Sequence, residues 1–177
     1  MADTPLPLPN PNRYITENAP DGNSFFSTAV DESLPVLNDL RGALIRLGYT
    51  TDPPPAALSH PTDVARYAAS LADPPPLVPL EGGAHVWYID TPPGGESPLH
   101  RTVSLDLVIV LAGDVELNLS GGEQRRLRPG DLVVQRATLH KWRNLSSTQW
   151  SRMIGIVSAC QPVETPSGPL GETFLSP

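Results

Sequence analysis

Residues 102–135 read TVSLDLVIVLAGDVELNLSGGEQRRLRPGDLVVQ. Short runs rich in Val, Leu and Ile are cut by Ala112-Gly113-Asp114, by Ser120-Gly121-Gly122-Glu123 and by Arg128-Pro129-Gly130-Asp131. Glycine accepts positive φ and aspartate bonds its own backbone, so each cut reads as a tight turn and each run as a strand. Strands this short and this regularly punctuated make an antiparallel sandwich or barrel. Working outward, the same texture predicts strands over 85–90, 102–111, 115–120, 124–127, 131–135, 139–143 and 150–159. No helix is needed in this half.

Upstream the texture changes. Seventeen of the 22 prolines precede residue 99, and proline neither donates to a central ladder nor continues a helix, so this half is expected to hold connections and short elements. Pro53-Pro54-Pro55 and Pro74-Pro75-Pro76 read as extended polyproline spacers without any internal repeat. Between them Thr62 is expected to cap a short helix over 63–71, with Val64, Tyr67, Ala68 and Leu71 on one face. Residues 13–16 and 24–28 flank the turn Pro20-Asp21-Gly22-Asn23 as two extended segments. The run 43–50 fits a helix end or a strand equally well, because a short apolar run does not fix the period.

The whole chain has 177 residues, 39% hydrophobic and 18% charged, which fits one folded, strand-rich domain. A net charge of −7 repels phosphate backbones, so nucleic acid is not an expected partner. Nothing approaches the ~20 continuous apolar residues of a membrane helix, and MADTPLPLPNPNRY lacks the basic and apolar parts of a signal peptide. A soluble, cytoplasmic protein is expected. The lone Cys160 excludes an internal disulfide and a multi-cysteine metal site.

Chemistry concentrates in the barrel-like half. Even spacing along one strand puts His100, Thr102, Ser104 and Asp106 on a common face, as it does His140, Trp142 and Asn144 on another. If both faces are interior, two imidazoles and a carboxylate converge, the donor set of non-haem iron, which zinc, manganese or nickel can also occupy. The plainer alternative makes His100 and His140 satisfied wall histidines, bonds Asp106 to a neighbouring strand and leaves a barrel that binds an apolar ligand. His85, with Trp87 on its face, is a candidate base or substitute ligand, or else a half-buried histidine with one nitrogen satisfied. Glu96 is a candidate acid or base at the mouth, or else a solvated loop carboxylate. Trp87, Thr102, Ser104 and Trp142 are the candidate pocket wall, although large aromatics more often form core.

From about residue 92 to 157 the chain resembles the cupin superfamily of small jelly-roll barrels. One motif runs from Pro93-Gly94-Gly95-Glu96 through His100-Arg101-Thr102-Val103-Ser104-Leu105-Asp106 to Gly113, and the other from Pro129-Gly130-Asp131 to His140 and Asn144. His100 matches the family's first motif histidine, Thr102 stands where the second would be, and Asp106 replaces the usual glutamate. Gln135 and Ala137 stand where a Pro-x-Gly turn is common. The strings His-Arg-Thr-x-Ser-x-Asp and His-x-Trp-Arg-Asn are similar to one subgroup of bacterial and fungal single-domain cupins, several of them cupin-domain oxidoreductases of polyketide pathways.

The resemblance implies an all-β, RmlC-like double-stranded β-helix over 84–160, with a proline-rich extension at 1–83 and a tail at 161–177. It implies a divalent metal, Fe(II) first and Zn, Mn or Ni after it, held by His100, Asp106 and His140. The activity implied is a dioxygenase-like oxidoreductase acting on a phenolic or polyketide-derived small molecule. A Lewis-acid lyase or isomerase and a non-catalytic binding barrel are the alternatives. It also implies a homodimer, with the proline-rich arm covering a sheet edge.

Overall fold

The computed structural model describes residues 6–40 and 43–175; the outer ends of the expected extension and tail lie outside the described residues. A hairpin of β1 (Thr16–Asn18) and β2 (Ser24–Phe26) opens the chain, close to the expected pair of extended segments around 20–23. Then come β3 (Asn38–Leu40), β4 (Ala43–Thr51) and the helix α1 (Thr62–Ala72). The ambiguous run at 43–50 is thus a strand. Its neighbour in the sheet, β5 (Ala84–Thr91), settles a period that the residues alone leave open. Thr62 is not the cap of α1: Pro61 occupies that position and makes no side-chain hydrogen bond.

The remaining strands are β6 (Leu99–Arg101), β7 (Ser104–Ala112), β8 (Val115–Leu119), β9 (Gln124–Leu127), β10 (Leu132–Arg136), β11 (His140–Asn144) and β12 (Ser151–Ala159). The residues from 161 onward add β13 (Val163–Thr165), β14 (Gly168–Leu170) and β15 (Thr173–Leu175). Two sheets carry the architecture. One has the order β10-β7-β12-β5-β4-β3, the other β15-β6-β11-β8-β9, and every pairing is antiparallel. From β5 to β12 the chain passes back and forth between them, which is the jelly-roll winding of an all-β barrel.

The sheets meet through a core of Val108, Val110 and Met153 from one and Val115, Leu117 and Trp142 from the other. A second cluster joins Tyr67 of α1 to Leu47, Val78, Trp87 and Val157, fixing the helix against β4 and β5. Gly113 turns the chain from β7 to β8 with φ +87°, and a Cβ there would lie 2.6 Å from Ser151 Cβ, so only glycine fits. At the far side, buried Asp90 takes Arg46 Nη1 at 2.8 Å and Arg152 Nε at 2.6 Å. The same guanidinium groups reach Asn10 Oδ1 and the Pro9 carbonyl, which ties the early residues to the barrel. Among the described residues no helix is long and apolar enough to cross a membrane.

One expectation fails in an informative way. The strand expected over 102–111 is β7, which begins at Ser104, but His100 lies on the separate strand β6, and the break at Thr102-Val103 carries the chain from one sheet to the other. His100 and Asp106 therefore belong to opposite walls and do not share the face of one strand.

Candidate functional site

His100 on β6 and His140 on β11 are direct cross-strand partners, and their ring centroids are 4.3 Å apart. Each ring is held in the same way. His100 Nδ1–H donates to the Pro98 carbonyl at 2.9 Å and His140 Nδ1–H to the Thr138 carbonyl at 2.9 Å. A carbonyl only accepts, so each neutral ring carries its proton on Nδ1 and keeps a lone pair on Nε2. Burial pulls the His140 pKa down to about 4, with the Thr138 carbonyl acting the other way and the charge of His100 adding to the fall. His140 is neutral at pH 7, the form in which imidazole binds a cation.

The facing wall is read off the register. Directly opposed residues of antiparallel strands share a face, so Gln135, Asp106, Val157 and His85 form one row across β10, β7, β12 and β5. Gln135, Asp106 and His85 are all buried. Gln135 Nε2–H donates to Asp106 Oδ2 at 2.9 Å, while Asp106 Oδ1 and Gln135 Oε1 are buried without a hydrogen-bond partner among the described residues. Burial holds the Asp106 carboxyl above the usual carboxylate range; hydrogen bonding from Ser104 and Gln135 and the charge of His100 act against it. His85 Nδ1–H donates to the Pro76 carbonyl at 3.0 Å, and burial lowers its pKa against the pull of the Pro76 and Leu77 carbonyls.

The structure thus brings His100 and His140 together and sets Asp106 on the opposite wall. Among the described residues no group of three or more His, Cys, Asp or Glu side chains is gathered closely enough to hold a metal ion. The donors nevertheless suit a divalent cation in kind. Two imidazoles engaged through Nδ1 hang from one wall, and the other wall carries a buried carboxylate oxygen that nothing in the described residues satisfies.

The other expected residues divide. Thr102 and Ser104 are buried and joined hydroxyl to hydroxyl at 2.7 Å beside Asp106. A cleft of about 520 Å³ lined by Ser104, Leu105, Val134, Arg136, Thr138 and Cys160 reaches this end of β7 from the outward side of the sheet, away from Asp106. Trp142 packs edge-on to His140, with ring centroids 5.9 Å apart, and belongs to the core. Trp87 is core as well, its indole N–H donating to the Leu77 carbonyl at 3.0 Å. Glu96 is not brought to this group: it is exposed and paired with Lys141 at 3.1 Å, on the outward side of β11. Asn144 is a clamp, its amide reaching the carbonyls of Thr91, Pro92 and Gln149.

Two residues of the site escape the sequence reading. Phe174 on β15 stacks on His100 at 5.6 Å between centroids and an 11° interplanar angle, although its stretch shows only a two-residue apolar run. Gln135 is a polar residue at an inward position of an apolar strand, and that break in alternation is the signal that could have found it.

Residues 87–155 match the family model described as Cupin domain. Over 164 residues the chain is 39% identical to phomopsin biosynthesis cluster protein C' of Diaporthe leptostromiformis, covering 93% of this chain and 86% of that one. Oryzines biosynthesis cluster protein J of Aspergillus oryzae is 39% identical over 94% of this chain and 93% of its own length. The cupin-domain-containing oxidoreductase fogC of Aspergillus ruber is 36% identical over 85% of this chain and 73% of that one. Among solved structures, KdgF from Halomonas sp. aligns with 70% of this chain and 86% of its own at 19% identity and a TM-score of 0.47.

Proposed function

Because this chain belongs to the cupin family, we propose that it is a metal-dependent oxidoreductase of fungal secondary metabolism acting on a phenolic or polyketide-derived small molecule. The observation that carries the reading is the His100–His140 pair, with both Nδ1 atoms engaged and both Nε2 lone pairs free, across from the unsatisfied Oδ1 of Asp106. Fe(II) is the occupant we favour. His100, His140 and Asp106 would hold it, and a cation with open positions supplies a meeting place for a substrate oxygen and dioxygen.

The rest of the work falls to the chain. The core around Trp142, Val110 and Leu117 excludes water from one side of the histidine pair. Phe174, stacked on His100, offers a flat apolar surface against which a ring can lie. His85, buried in the same row as Asp106 with Val157 between them, is our candidate to accept a proton from a bound hydroxyl. Oxygen uptake with a panel of phenols tests the proposal. Fe(II)-loaded protein should consume oxygen, and chelated protein and His140→Ala should not; equal turnover under argon would replace the oxidase reading by the Lewis-acid one.

We also propose that two copies pair through the outward face of the six-stranded sheet. Leu105, Leu107, Leu132 and Val134 are exposed there and continue into half-buried Ile154 and Ile156. Four strands at ~4.8 Å spacing and nine residues at ~3.3 Å rise give a face of roughly 19 by 30 Å. That is of the order of the ~800 Å² each partner gives to a standard interface. A second copy presents the same mainly apolar face, with Arg136 at its edge beside Leu105, which supports a self-complementary pairing.

A further inference from the structure

We infer that Gln135 is the positioning residue of this site: by holding Oδ2 of Asp106 it decides that Oδ1 is the oxygen presented to the bound cation. The inference rests on the cation reading proposed above. A carboxylate on a short side chain can turn about its last bond, and its two oxygens are equivalent until something distinguishes them. Here a buried hydrogen bond does. Gln135 Nε2–H donates to Oδ2 at 2.9 Å in a buried hydrogen bond between residues that are direct partners across β10 and β7.

The asymmetry is visible in what is left over. Asp106 Oδ1 and Gln135 Oε1 are both buried and without a partner among the described residues, while Oδ2 and Nε2 satisfy one another. Buried acceptors are costly unless a donor or a cation meets them. A site that keeps one carboxylate oxygen engaged and the other bare is built to receive something at the bare one. The arrangement at Gln135 is itself held in place: the chain turns at Ala137, which takes φ +48°, and Ala137 N–H donates to the Ser104 carbonyl. This turn fixes the end of β10 against the start of β7, so the amide cannot drift from the carboxylate by a strand slip.

Outer partners of ligating carboxylates tune a metal site by setting the ligand's direction. Thr102 does not compete, since its hydroxyl is joined to Ser104 at 2.7 Å; Ser104 also acts on the carboxyl, and Gln135 is the neighbour whose donor lies within 2.9 Å of one named oxygen.

The test titrates Co(II) into the metal-free full-length protein and follows the visible ligand-field bands. Gln135→Met keeps the length and removes the donor. We expect its affinity to fall about 10- to 100-fold with shifted bands, while circular dichroism and the melting temperature stay near those of the parent. Should Gln135→Met fail to fold, Gln135→Asn, which keeps the amide but shortens its reach, carries the same test and the same expectation. Parental affinity and bands in the variant overturn the role of Gln135 and leave the cation reading standing. Absence of Co(II) binding in the parent overturns both.

Discussion

His100 and His140 lie directly opposite one another across β6 and β11, and each donates its Nδ1–H to the carbonyl two residues before it. The repeated bond fixes the orientation of both rings and directs both Nε2 atoms away from the bonded carbonyls. Replacing either by alanine should weaken binding of Zn(II) or Co(II) beyond the about 10- to 100-fold loss typical of an outer partner. Isothermal titration of His100→Ala and His140→Ala measures it, and parental affinity in either variant would remove that histidine from the ligand set.

Burial of neutral His140 gives the metal-free protein a pH dependence. Its folded pKa, about 4, lies below the ordinary value of 6.5, so the unfolded chain binds the extra proton first as pH falls. The contribution of His140 to stability is complete above pH ~6.5, declines between ~6.5 and ~4 and is level below that. Between pH 7 and pH 5 the loss should be about 2 kcal/mol in urea unfolding. His140→Asn should flatten this part of the profile; an unchanged slope would mean that other groups set it.

Asp90 is buried between Arg46 and Arg152, and Arg46 is itself 1% exposed. Removing the anion strands a guanidinium in the interior, a change that costs about 3–5 kcal/mol. Asp90→Ala should therefore lower stability by about that amount in denaturant titrations and should release the residues around Pro9 and Asn10 to proteolysis. A loss under ~1 kcal/mol would show that water replaces the carboxylate at little cost.

Pairing through the six-stranded sheet predicts a simple outcome. Leu107 sits between Val134 and Ile156 at the centre of the exposed face. Leu107→Asp should convert a dimer to a monomer in sedimentation velocity while leaving the fold intact, because the side chain points away from the core. A parent that sediments as a monomer at high micromolar concentration would end the proposal.

The barrel half was legible because its punctuation is chemical. Gly113, Gly122 and Gly130 all take positive φ, and the strands between them fall within a residue or two of where the turns place them. The break at Thr102-Val103 was not legible, since neither glycine nor proline marks it; the chain changes sheets there through residues that read as strand. The strand β4 hid in a run whose period only its neighbours in the sheet resolve. His100, Asp106 and His140 could be picked out by type, whereas Gln135 and Phe174 depend on cross-strand register and on a short closing strand, which a local pattern does not contain.

The crossing at Thr102-Val103 has one more effect. Because the imidazoles hang from one wall and the carboxylate from the other, the spacing of the two sheets, filled in part by Val110, Val115 and Leu117, bears on how far apart they stand. Trimming or enlarging those side chains would shift the two walls without touching His100, His140 or Asp106, so a cation held as proposed would answer to residues that never meet it.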